Sequence, residues 1–158
     1  MSDIIITMKN GDVMKAELYP EIAPITVANF LELIQKNFFD GLIFHRVIEG
    51  FMIQGGGYEE KGNHKDAPSI KGEFTRNGVT NNLKHTRGVL SMARTSFPNS
   101  ASSQFFIMHK DSPHLDGQYA AFGKITEGIE VVDKIATVPT DYQDCPVEPQ
   151  IIESIRLA

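Results

Sequence analysis

With 158 residues, 41% of them hydrophobic and 22% charged, the chain reads as one globular domain, 1–158, able to bury roughly 68 to 70% of its unfolded surface. A net charge of -5 without a Lys/Arg cluster argues against a grip on nucleic-acid backbones, and no apolar run approaches the roughly 18 residues of a membrane span. Met1-Ser2-Asp3 leads into Ile4 without a secretory leader pattern, and Cys145, the only cysteine, allows no internal disulfide, so a reducing, cytoplasmic setting is expected.

Met14, Ala16 and Leu18 alternate with Lys15 and Glu17, and Asn10-Gly11, a dipeptide suited to the positive φ angles of a tight turn, joins this run to the mostly apolar residues 4–8 and predicts a β-hairpin. Val27, Phe30, Leu31 and Ile34 then fall at i, i+3, i+4 and i+7. With Pro24 near the start and Gly41 beyond the end, they predict an amphipathic helix whose stripe covers a sheet face or barrel end. Short strands follow at 44–48, 52–55, 88–93, 104–108 and 120–125, separated by Gly, Asn, Ser and Pro. This spacing suggests an antiparallel barrel or sandwich. A second helix fits 129–136, and 151–157 is a final strand that could pair with the first and remove both sheet edges. Residues 58–69 and 95–103 are long surface loops.

Several chemical motifs are absent. Gly55-Gly56-Gly57 lacks the context of a phosphate or dinucleotide loop and reads as a bulge or bend. The five histidines, His109 and His114 included, form no metal-ligand spacing, and Ser91, Ser102 and Ser103 lack a nucleophile elbow. Asp111 and Asp116, flanking Pro113-His114, read as turn formers. One stretch stands apart: residues 44–56 set Arg46 and Gln54 among large apolar side chains. A guanidinium keeps its proton in proteins, so Arg46 in an apolar cleft points to electrostatic chemistry rather than acid–base exchange.

The segments FHRVIEGFMIQGG (44–56), KHTRGVLSMA (84–93), SSQFFI (102–107) and LDGQYAAFGKI (115–125) occur in an order and spacing that resemble the cyclophilin family of peptidyl-prolyl cis/trans isomerases. The resemblance implies a mainly β fold, a closed eight-stranded antiparallel β-barrel capped by two α-helices, with a groove on its outer surface. It implies rotation of X-Pro bonds in peptides and unfolded chains by a monomer without cofactor or metal. Arg46, Gln54 and Phe51 are the implied catalytic residues. Met52, Ala93, Arg94, Phe106, His114, Leu115 and Tyr119 are the implied substrate-binding ones, with Gln54 also orienting Arg46. Regular pleating would aim Phe51 away from Met52 and Gln54, so a bend near Glu49-Gly50 is required. His45 should point away from Arg46 and serve packing or hydrogen bonding.

The chain departs from the family's common eukaryotic pattern in four places. Arg94 begins a loop one residue longer, His114 stands where tryptophan is common and Tyr119 where histidine is common. Cyclosporin is therefore expected to bind this groove weakly. Residues 63–68 replace a glycine-rich loop, which leaves open the preference at residues flanking the proline. A noncatalytic proline-peptide binding or chaperone module on the same barrel is the alternative in a different class. Intact Arg46, Phe51, Gln54 and Phe106 favour catalysis over it.

Overall fold

The computed structural model describes residues 2–158. Its strands are β1 (Ser2–Met8), β2 (Val13–Leu18), β3 (Arg46–Ile48), β4 (Met52–Gly55), β5 (Val89–Met92), β6 (Phe105–Met108), β7 (Ala121–Glu127) and β8 (Ile152–Leu157). Two helices, α1 (Pro24–Gln35) and α2 (Ile129–Ala136), lie at the expected places, α1 over the segment with the 3.6-residue apolar spacing. Short 3-10 turns at Thr75–Asn77 and Pro113–Leu115 have too few residues to leave a periodic signature.

All eight strands belong to one antiparallel sheet of order β3-β4-β6-β5-β7-β2-β1-β8. The final strand does pair with the first. The barrel is nevertheless curled rather than closed. The end strands β3 and β8 share no ladder, and the gap is spanned by a lone bridge between Ile43 and Ile151, flanked by bonds from Phe44 N–H to Gln150 O (3.0 Å) and Ile152 N–H to Leu42 O (2.8 Å). On β3, Val47 N–H donates to the carbonyl of Asp144 instead, so a loop occupies the place of a neighbouring strand.

The opening hairpin forms, but not through the tight turn that Asn10-Gly11 suggested. Only Gly11 has positive φ (97°), while the Asn10 side chain accepts the Asp12 N–H at 2.9 Å. Bonds from Gly11 N–H to Met8 O and from Met8 N–H to Asp12 O close a wider loop, the i→i+3 turn followed by a left-handed glycine common in three-residue hairpins.

Strand alternation sorts the apolar residues into two cores. Inward, Val47, Ile53, Leu90, Met92, Phe105 and Ile107 join Phe30, Phe39, Phe44 and Phe122. Phe30 and Phe105 meet edge to face, centroids 5.3 Å apart. Outward, Met52, Val89, Phe106, Met108, Leu115 and Ala121 form a second buried cluster. The consecutive Phe105 and Phe106 therefore go to opposite faces, Phe105 into the barrel and Phe106 into the outer cluster. Helix α1 lies against β8, and α2 against β2, β3 and β4.

Candidate functional site

The register across four strands lays out the site. Arg46 on β3 pairs with Gln54 on β4, Gln54 with Phe106 on β6, and Phe106 with Ser91 on β5. Directly opposed residues share a face, so these side chains form a transverse row on the outside of the sheet. Met52, two residues before Gln54, lies on the same face.

Phe51 joins this face through the bend that the pleat required. Phe51 N–H donates to Ile48 O (3.0 Å), and Gly50 at φ 80° supplies the left-handed position of that turn. A pocket of about 130 Å³ results, lined by Arg46, Phe51, Met52, Gln54, Ala93, Arg94, Phe106, Leu115 and Tyr119. Of the residues implied for catalysis and binding, His114 alone is not in the lining. It is exposed on the 3-10 turn beside Leu115, its ring 5.8 Å from that of Phe51. Met52, Phe106 and Leu115 are buried, whereas Phe51 and Tyr119 are half-buried.

Two expectations for the polar residues need correction. Arg46 is exposed, and among the described residues it has no ion pair or hydrogen bond, so its donors face the groove mouth in water. Any exclusion of water must come with the occupant. Gln54 does not orient Arg46; its Nε2 donates to Gln104 Oε1 at 3.1 Å. Gln104 carries no signal of its own inside the apolar run 104–108. Its packing depends on Gly57, where a Cβ would sit 2.5 Å from the Gln104 side chain. Arg94 turns its guanidinium over the rings of Phe74 (4.7 Å) and Tyr119 (4.8 Å) and donates to the Gln118 carbonyl at 2.7 Å, which stiffens one rim.

Behind Phe106 lies a buried polar relay. His85 Nδ1–H donates to Asp116 (3.0 Å), the Ser91 hydroxyl donates to His85 Nε2 (2.9 Å), and the His85 ring stacks under Phe106 at 6.0 Å. Asp116 also accepts the His85 backbone N–H at 2.6 Å, so it does more than form a turn; Asp111 likewise accepts the Arg87 N–H. Ser91 is fully buried, so this Asp-His-Ser chain cannot meet a substrate and acts as a floor. Burial pushes His85 below the ordinary imidazole range although Asp116 pulls it the other way. Burial would raise Asp116, but the His85 hydrogen bonds outweigh it and leave the carboxyl below the usual range. His45 packs on Tyr58 with centroids 4.6 Å apart, and its buried Nδ1 has no hydrogen-bond partner.

Beside the groove, sharing Gln54, Ala93 and Arg94, is a polar pocket of about 260 Å³ completed by His64, Thr95, Ser100, Ser102 and Gln104. The 63–68 segment thus builds a flanking pocket through His64. A larger hollow of about 430 Å³ is lined by residues 8–10, 12, 134, 135, 138 and 148–151, and shares no side chain with the groove. Its Lys134 and Asp12 satisfy each other at 2.9 Å.

Residues 4–157 match the family model described as cyclophilin type peptidyl-prolyl cis-trans isomerase/CLD. The chain is 45% identical to a peptidyl-prolyl cis-trans isomerase of Acinetobacter baylyi, over 99% of this chain and 87% of that one. It is 41% identical to peptidyl-prolyl cis-trans isomerase B of Escherichia coli, over 94% and 95%. Among solved structures, a cyclophilin type peptidyl-prolyl cis-trans isomerase of Cryptosporidium parvum superposes with a TM-score of 0.84 at 32% identity, covering 99% of this chain and 97% of that one. The same relative has been solved in the presence of the dipeptide Ala-Pro.

Proposed function

The chain belongs to the cyclophilin-type peptidyl-prolyl cis-trans isomerases and catalyses rotation about X-Pro bonds, and we propose that it does so with Arg46 as hydrogen-bond donor to the twisted imide nitrogen. Planar amide resonance sets a barrier of about 18 to 20 kcal/mol, yet no covalent bond has to form or break. As the bond twists, nitrogen regains its lone pair and becomes an acceptor. A donor placed there binds the transition state better than the flat substrate. The unpaired guanidinium of Arg46 at the edge of an apolar pocket carries this reading.

Raising a rate near 0.01 per second to about 10 per second requires about 4 kcal/mol. A charged hydrogen bond contributes about 1.5 to 3 kcal/mol, so the pocket must supply the rest by holding the proline ring while the other half turns. Phe51, Met52, Phe106 and Leu115 take the ring. Gln54, held by Gln104, meets the substrate backbone with Ala93 and Arg94 at the rim, and Tyr119 and His114 flank the proline side. The substrates are proline-containing peptides and unfolded chains, so the enzyme assists folding. It works as a monomer without cofactor, metal, nucleic acid or membrane, and the unpaired Cys145 suits a cytoplasmic setting.

The test is exchange NMR on a Pro-containing peptide, which reports rate and affinity together. Arg46→Ala should slow exchange roughly thirty- to hundredfold at near-constant affinity, the loss of about 2 to 3 kcal/mol that acts only in the twisted state. Arg46→Lys should rescue poorly because an ammonium lacks the planar fork, and Phe106→Ala should weaken binding as well. If Arg46→Ala keeps the wild-type exchange rate, or loses activity solely through affinity, the assignment fails and a noncatalytic binding module takes its place.

Cyclosporin fits the same groove as a weak ligand, because exposed His114 beside Phe51 offers less apolar area than an indole would. A deficit of some 60 Å² corresponds to about 1.5 kcal/mol, roughly tenfold in affinity. Titration calorimetry should find His114→Trp tighter by about that factor; no gain would refute this account.

A further inference from the structure

The turn between β3 and β4 is fixed from outside by one residue that the groove does not contain. Within residues 48–51 the closing bond runs from Phe51 N–H to Ile48 O, which leaves the N–H of Gly50 without a partner inside the turn. His109, just past β6, receives that N–H on Nδ1 at 2.8 Å. The His109 backbone N–H donates to Phe51 O at 2.9 Å, so a single residue grips both Gly50 and Phe51. The ring is buried, 6% exposed. Its Nε2 lies 3.1 Å from Asp133 Oδ1 on α2. Asp133 is held in turn by the Arg87 guanidinium, whose Nη2 donates to Oδ2 at 2.8 Å.

The tautomer follows from these partners. A backbone N–H can only donate, so Nδ1 presents its lone pair, and a carboxylate can only accept, so Nε2 carries the hydrogen given to Asp133. Nothing in the isomerisation described above uses this ring. Yet Phe51, a wall of the proline pocket, sits on a turn whose other supports are its one internal bond, a long bond from Lys110 N–H to Phe51 O (3.4 Å) and the ladders of the flanking strands β3 and β4, and none of these reaches the Gly50 N–H. We propose that His109 is a positioning residue: its ring, locked by Asp133 and Arg87, pins Gly50 and so fixes Phe51 in the wall shared with Met52 and Phe106. The proposal rests on the assignment of Phe51 to the proline-ring pocket.

Asparagine and glutamine separate this role from general stability. The amide oxygen of asparagine falls near the place of Nδ1 and can accept the Gly50 N–H, whereas that of glutamine falls near Nε2 and cannot. Peptide affinity and turnover are measured by exchange NMR for His109→Asn, His109→Gln, His109→Ala and Phe51→Ala, with thermal unfolding alongside. His109→Gln and His109→Ala should weaken peptide binding about fivefold to tenfold, the worth of one net hydrogen bond, while turnover of bound peptide is kept. His109→Asn should bind like the parent, whatever its unfolding midpoint.

Equal loss in His109→Asn and His109→Gln, or parental affinity in all three, overturns the proposal. If Phe51→Ala also binds like the parent, the pocket reading fails first; if only Phe51→Ala binds weakly, the pocket stands and the positioning role falls. The unaltered protein gives a check that needs no variant. The Gly50 amide should exchange slowly and show hydrogen-bond coupling to the His109 ring nitrogen, and fast exchange without coupling refutes the contact.

Discussion

His45 illustrates how one residue ties the site's surroundings to pH. Burial, then the neighbouring positive charges of Arg46 and His64, lower its pKa from 6.5 to about 4. The unfolded chain therefore binds a proton between these values that the folded chain refuses. Stability from neutral His45 is fully present above about pH 6.5 and is lost as pH falls toward 4. Because the ring is partly exposed, the shift is discounted for solvent screening to about 1 to 2 kcal/mol. His85, also lowered by burial, titrates with the same sign. Unfolding free energies measured from pH 7 to 4 should decline on this limb, and His45→Phe, which keeps a ring against Tyr58, should flatten it. An unchanged limb in that variant would assign the effect elsewhere.

At the scale of elements, α1 begins without a capping side chain of its own. Ala23 occupies the cap position and Pro24 the first helical one. Glu73, from the loop after β4, supplies what the helix lacks: its Oε1 accepts the Thr26 N–H at 2.6 Å and the Thr26 hydroxyl at 2.8 Å. A carboxylate at the positive end of a helix is favoured twice, by the orphan N–H groups and by the dipole. Both groups are buried, so truncation leaves unsatisfied donors. Glu73→Ala should cost about 2 kcal/mol, a fall in Tm of roughly 4 to 8 °C, while Glu73→Gln, which keeps an oxygen, should cost less. Thermal unfolding of the pair measures this, and equal losses would mean that the oxygen is not the cap.

For the whole molecule, the curled sheet separates the stabilising interior from the groove by face. The aromatic interior around Phe30 and Phe105 holds the barrel together, and the smaller outer cluster forms the floor of the groove. In the mechanism proposed for that outer face no bond is made or broken, and neither a thiol nor a metal is given a role. Cys145 lies outside the groove lining, and among the described residues no group of three His, Cys, Asp or Glu could hold an ion. Isomerisation should therefore proceed at the parental rate with excess chelator and in Cys145→Ser. A clear fall in either condition would contradict the mechanism.

Local signals determined much of this protein. Periodicity placed α1 because burying one stripe every 3.6 residues needs nothing beyond the segment itself, alternation placed β2 for the same reason at period two, and short apolar runs between turn residues located the central strands. The four motifs in sequence order carried the family and the groove residues Arg46, Phe51, Gln54 and Phe106. What only the tertiary structure decided depends on partners distant in the chain. The pairing of Gln54 with Gln104, the floor of Asp116, His85 and Ser91, the cap that Glu73 gives α1 and the grip of His109 on Gly50 span from 6 to 59 residues. The open edge between β3 and β8 belongs with them, since closure is set by sheet curl and by which loop reaches Val47 first, and neither leaves a trace in local composition.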